Sequence, residues 1–146
     1  LILLHKSAII LSLCCLFIAA ACSKAQNSST IPQSVVELIN SEGITTTLSN
    51  SMKEMELEGV IPESYFLENG DEIKAYHFLT EEARMLGVKQ FQQHQLLFSS
   101  HAPLLFQAGN DLVLYYSKDS GKSSTQTPNI NETKYGNGIK KAVDKL

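Results

Sequence analysis

PLLFQAGNDLVLYYS, residues 103–117, reads as two strands folded back on each other around Gly109-Asn110. Pro103–Ala108 and Asp111–Ser117 are rich in Leu, Val, Phe and Tyr at both alternating parities. Apolar residues on both faces are expected of strands central in a sheet. The Gly-Asn pair tolerates the positive φ angles of a type I′ turn. A second hairpin precedes it: Ser64–Leu67 and Glu72–Leu79 flank Asn69-Gly70 in the same way. Between the hairpins, Thr80-Glu81-Glu82 has the hydroxyl and carboxylates of a helix start. Ala83, Leu86, Phe91, His94, Leu97 and Phe98 then share one side of a helical wheel. Further on, Asn137 is placed to cap a short helix with Ile139, Ala142, Val143 and Leu146 on one stripe. Hairpin–helix thus occurs twice. The expectation is an α+β domain, an antiparallel sheet of four or five strands built from two hairpins, with helices packed on one face.

Upstream, Thr30-Ile31-Pro32-Gln33 reads as a helix start, Val35, Leu38 and Ile39 as its buried stripe, and Gly43 as its stop. Thr45–Leu48 fits a short strand. Lys53–Glu58 (KEMELE) reads as a solvated connector, its alternative being a cation-binding acidic face. Ser117–Asn131 is a long polar loop.

The N-terminus carries a different kind of signal. His5 and Lys6 precede the apolar run Ala8–Ala21, broken only by Ser12, and the small residues Ala19-Ala20-Ala21 abut Cys22. A cationic start, a short apolar core and small residues at the cut are the marks of an export leader. The position three before the cysteine, usually Leu in lipoproteins, is Ala19. Three other readings compete. A membrane span needs roughly 20 apolar residues where this run holds about 14. Ordinary secretion would leave a free Cys22, and a buried core helix sits badly beside the polar Ser23–Ser29 (SKAQNSS). The expected organisation is a leader over 1–21, a lipidated Cys22 with its polar tether over 22–30, and a single domain over 31–146. The partner so implied is a membrane, reached through the lipid on Cys22, with an extracytoplasmic location at a Gram-positive cell membrane or an outer membrane.

Removing Lys6 with the leader leaves 11 basic against 15 acidic residues, a net charge of −4. A mildly acidic domain lacks the basic footprint that nucleic acid requires. The three cysteines, Cys14, Cys15 and Cys22, all lie in or at the leader. The mature domain therefore has no internal disulfide and no cysteine-based zinc or redox site.

Candidate chemistry after the leader is sparse. His77, His94 and His101 are 17 and 7 residues apart, on a strand, a helix and a loop. Metal binding by histidine pairs favours i, i+4 on a helix or i, i+2 on a strand, so no metal site is expected. His94 and His77 read better as partly buried, hydrogen-bonded structural residues. Gly121-Lys122-Ser123 has the end of a phosphate loop, but Tyr116 occupies the place of the earlier glycine. No nucleophile elbow, Ser-X-X-Lys pair or His-Glu-X-X-His helix occurs. An acylated Cys22 cannot act as a nucleophile, and Glu81-Glu82 is explained by the helix dipole. Adjacent Tyr115 and Tyr116 must point to opposite faces of the sheet, one into a core and the other outward or under the Ser117–Asn131 loop. Tyr65 and Tyr76 place two further rings on the hairpin strands, where one exposed ring could mark a binding surface. No catalytic residue and no cofactor is assigned.

Pro62-Glu63-Ser64-Tyr65, Glu72–Phe78 (EIKAYHF) and Asn110–Tyr116 (NDLVLYY) follow in an order that resembles a group of small uncharacterised lipoproteins of spore-forming Gram-positive bacteria. The resemblance covers about residues 60–146 plus the leader, on apolar strand patterns of low specificity. It implies an exported, lipid-anchored α+β domain and carries over no catalytic or ligand residue. Three functions are open at this point. The first is a non-catalytic envelope lipoprotein binding a protein or small ligand. The second is an envelope hydrolase or metal-handling protein using a histidine and a nearby carboxylate. The third is a small-molecule carrier with an apolar cavity of at least about 300 Å³ between sheet and helices.

Overall fold

Leu112, Val113, Leu114 and Tyr115 are all fully buried, and the rest of the domain is arranged around them. The computed structural model describes residues 33–50, 54–97, 102–118 and 126–146. Cys22 with the leader and tether, His101, Phe98 and Gly121-Lys122-Ser123 lie outside them. Five strands form one antiparallel sheet: β1 (Thr46–Leu48), β2 (Glu63–Leu67), β3 (Glu72–His77), β4 (Leu104–Ala108) and β5 (Asp111–Tyr116). Their order across the sheet is β1-β2-β3-β5-β4, which puts β5 in the interior between the two hairpins. The α+β class and the antiparallel sheet are therefore as expected.

Among the described residues three α-helices flank the sheet: α1 (Val35–Ser41), α2 (Glu81–Leu97) and α3 (Gly136–Val143). Side-chain alternation along β3 and β5 separates two cores. Ile73, Ala75, Val113 and Tyr115 meet Val35, Ile39, Ile139 and Val143, so α1 and α3 share one face. Tyr76, Leu112 and Leu114 meet Leu57, Phe78 and Phe91, so α2 lies against the other. The one-face arrangement thus describes α1 and α3, and α2 adds a cover on the second face. The cause is the composition of β5, whose apolar residues at both parities each need a partner layer. Glu42, just after α1, binds Lys141 at 2.8 Å and Lys145 on the α3 side, tying the two helices together.

Both hairpins are in place, with turns other than type I′. In the first, Gly70 N–H donates to Leu67 O (2.8 Å) and Leu67 N–H to Asp71 O (2.9 Å). Gly70 alone takes a positive φ, 81°, so the loop has three residues and closes as a turn with a glycine bulge. In the second, Ala108 pairs with Asp111 across two residues, and only Gly109 is at positive φ. Glycine first with the second residue at negative φ is the pattern of a type II′ turn.

The helix starts shift as well. Ser34, not Thr30, caps α1: its hydroxyl accepts from Glu37 N–H, and the Glu37 carboxylate accepts from Ser34 N–H, both at 3.2 Å. Ser34-Val35-Val36-Glu37 is the capping box, four residues on from the Thr30–Gln33 box expected from the sequence. Gly43 ends the helix region at φ 78° as expected. At α3, Tyr135 stands at the cap without a side-chain bond, and Asn137 is inside the helix, donating to Asn131 Oδ1 at 3.2 Å. The Thr133 hydroxyl serves that start instead, accepting from Gly136 N–H at 3.2 Å. Thr80 does cap α2, accepting from Ala83 N–H at 3.1 Å.

The buried stripe of α2 is Arg84, Gly87 and Phe91, rotated from the expected apolar side. Leu86, Leu97 and His94 are exposed, as are Met85 and Leu96. Nor is KEMELE merely solvated: Leu57 is fully buried, and Glu54 binds Lys74 at 2.6 Å with 7% of its side chain exposed. Among the described residues, no helix is long and apolar enough to cross a membrane.

Candidate functional site

Antiparallel pairing sets His77, the last residue of β3, directly opposite Asp111, the first of β5. Both side chains project on the α1/α3 face, at the end of the sheet where helical cover runs out. His77 Nδ1 lies 2.9 Å from Asp111 Oδ1, with the imidazole 75% exposed and the carboxylate 15%. Glu63 begins β2 opposite Ala75 and faces the same way. Its Oε2 accepts from Tyr65 O–H at 2.7 Å. Burial first, then this carboxylate, pushes the Tyr65 phenol up to about 12, so it remains a donor at neutral pH.

Glu63, His77 and Asp111 line a groove of about 500 Å³ between the first turn of α1 and the sheet. Its apolar walls are Val35, Val36, Val60, Ile61, Ala75 and Leu146. Each wall has a local cause. Val35 and Val36 are turned inward by the Ser34–Glu37 cap that fixes the helix start. Val60 and Ile61 are brought up by a tight turn in which Leu57 and Val60 exchange N–H···O bonds of 2.9 and 2.8 Å. Ala75 forms part of the wall because alternation along β3 turns it to the α1/α3 face, opposite Glu63. Small-molecule sites are concave and mostly apolar, with a few converging polar groups, and run from about 300 to 1,000 Å³. The groove meets that description. Chemically it can enclose an apolar body and hold a polar head against two carboxylates and an imidazole.

His77, expected as a partly buried structural residue, is exposed and paired at the groove. Its partner Asp111 drew no attention in the sequence. The residues are 34 apart, and only the β3–β5 register brings them together. His94 sits on the exposed side of α2, away from both. Among the described residues, no group of three or more His, Cys, Asp or Glu could hold a metal ion. Tyr76 and Tyr115 are fully buried on opposite faces, their hydroxyls donating to Met55 O (2.8 Å) and Asp71 Oδ2 (2.5 Å). Tyr116 is half-buried against the α2 core.

A shallower hollow of about 440 Å³ is lined by Phe66, Gly70, Glu72, Tyr116, Ser117 and Lys118. It is more open and places fewer groups in convergence, so the first groove is the candidate site. Comparison with protein-family models, curated proteins and solved structures finds no match.

Proposed function

We propose that this chain is an exported lipoprotein, anchored through a lipid on Cys22, whose non-catalytic domain carries a small ligand in the α1–sheet groove. The observation that carries the binding part is the groove itself: about 500 Å³, apolar-walled, with Glu63, His77 and Asp111 in its lining. It exceeds the roughly 300 Å³ that a carrier needs. The leader pattern from His5 to Ala21 and the likeness to small lipoproteins support the anchoring part.

The test uses the full chain in a bacterial host, with Cys22→Ser and Ala75→Leu compared against wild type. Cys22→Ser is expected to leave the membrane fraction or to accumulate unprocessed. Ala75→Leu, checked for folding by circular dichroism, is expected to stay anchored and lose a non-covalent adduct that native mass spectra detect on wild type. Wild-type fractionation of Cys22→Ser defeats the anchor; no adduct on wild type, or one retained by Ala75→Leu, defeats the groove.

One observation favours a hydrolase as a second reading. Asp111 holds His77 at Nδ1, which leaves Nε2 as the nitrogen to act as a base. However, Ser34, the hydroxyl lining the same groove, is engaged as the α1 cap, and binding is preferred on that ground. The second reading predicts turnover by wild type that His77→Ala abolishes; the first predicts an occupied groove without turnover.

A further inference from the structure

We infer that the groove selects an amphiphile with a cationic head, an apolar aliphatic or aromatic body ending in a primary amine. This rests on the groove being the ligand site and adds the chemical class of what enters it.

The polar groups lining the groove are unequal in charge. Glu63 and Asp111 supply two carboxylates and His77 one imidazole, and among the described residues that line the groove none is Lys or Arg. With two carboxylates against one imidazole, the charged lining of the groove is negative. Both carboxylates are positioned rather than loose: Tyr65 O–H fixes Glu63 and His77 fixes Asp111. A carboxylate- or phosphate-headed lipid would meet like charge here. The one feature that could favour an anion is the start of α1. Its capping box already satisfies Ser34 N–H and Glu37 N–H internally and adds the Glu37 carboxylate to that end. An alcohol head could hydrogen-bond but would bring no counter-charge to the carboxylates that line the groove. An ammonium group supplies that charge together with donors, while Val35, Val36, Val60, Ile61, Ala75 and Leu146 enclose the body behind it.

Three probes of matched body separate head-group class from site: 4-phenylbutylamine, 4-phenylbutan-1-ol and 4-phenylbutanoate. Each is titrated calorimetrically at pH 7 and low salt into the full chain in zwitterionic nanodiscs, with empty nanodiscs as the blank. The amine is expected to bind about ten-fold tighter than the alcohol, with the carboxylate weakest, and added salt should narrow the gap. The double variant Glu63→Gln, Asp111→Asn should remove the amine's advantage and bring it to the alcohol's affinity for the same variant. Equal binding of the three probes, or amine preference surviving the double variant, overturns the cationic class while the groove stands. Binding of none of them above the blank overturns the groove, and the class with it.

Discussion

Glu58 is the one non-glycine residue at positive φ among the described residues, 48°, and Gly59 beside it is at 78°. Two consecutive positive φ values closed by the Leu57–Val60 pair make this a type I′ turn, in a stretch expected to be a solvated connector. A glutamate in the left-handed region is strained by about 1–2 kcal/mol. It is held there by the burial of Leu57 and by Gln90 of α2, whose Oε1 accepts from Glu58 N–H at 2.8 Å. Replacing Glu58 with Gly keeps that backbone bond and removes the strain, so Glu58→Gly should stabilise the fold by about 0.5–1 kcal/mol after glycine's own entropy cost. The readout is a higher urea midpoint at unchanged slope. A lower midpoint would mean that the Glu58 side chain contributes more than the strain costs. The same residue shows why turn dipeptides place a turn without naming its class. Asn and Gly tolerate positive φ but do not demand it, and Asn69 and Asn110 both stay negative while Glu58 does not. Likewise a lone histidine could be singled out in the sequence, whereas Asp111 became its partner only through strand register.

At α2 the difficulty was of another kind, because its inward side is carried by residues that an apolar wheel does not count. Arg84 is 7% exposed, its Nε donating to Gly109 O and its Nη2 to Glu81, both at 2.7 Å, with Nη1 on Gln107. A buried guanidinium thereby holds the β4–β5 turn against the helix. Three residues on, Gly87 has no side chain, and the Phe78 ring occupies the space it leaves. A Cβ at Gly87 would stand 2.7 Å from Phe78 Cζ and 2.8 Å from Cε1. Helix propensity alone predicts that Gly87→Ala gains about 1 kcal/mol. Because Phe78 is fully buried, overpacking should outweigh that gain, and we expect a net loss of about 1–2 kcal/mol. In a Phe78→Leu background the same substitution should become neutral or favourable. A double-mutant cycle by thermal unfolding measures this coupling, and additive effects would show that the ring does not set the helix's distance. The strands, by contrast, were readable because β4 and β5 carry apolar residues at both alternating parities. The groove was not, since it is the space left where α1, the Val60-Ile61 segment and three strand ends fail to meet.

The two cores are coupled because they share β3 and β5. Tyr76 and Tyr116 lie on the α2 side, Tyr65 and Tyr115 on the α1/α3 side, and all four phenols are pushed above their ordinary value of 10. Burial is the first cause in each. For Tyr65 and Tyr116 it carries the phenol to about 12, and Tyr76 and Tyr115 are raised further. A neutral phenol in the folded state with a lower value in the unfolded chain means that unfolding releases protons above pH 10. Stability from these rings is thus fully present below about pH 10 and is lost as pH climbs toward 12. Because Tyr76 and Tyr115 project to opposite faces from adjacent paired strands, ionising either one opens the same β3–β5 seam. The expected result is one cooperative alkaline transition between about pH 10 and 12. Through it, tyrosinate absorbance from these four rings should rise together with the loss of far-ultraviolet dichroism. Absorbance from them that rose near pH 10 while the dichroism held would mean that the rings ionise inside the folded domain. Two transitions separated in pH would mean that the two faces melt independently, and that β5 does not bind them into one structure.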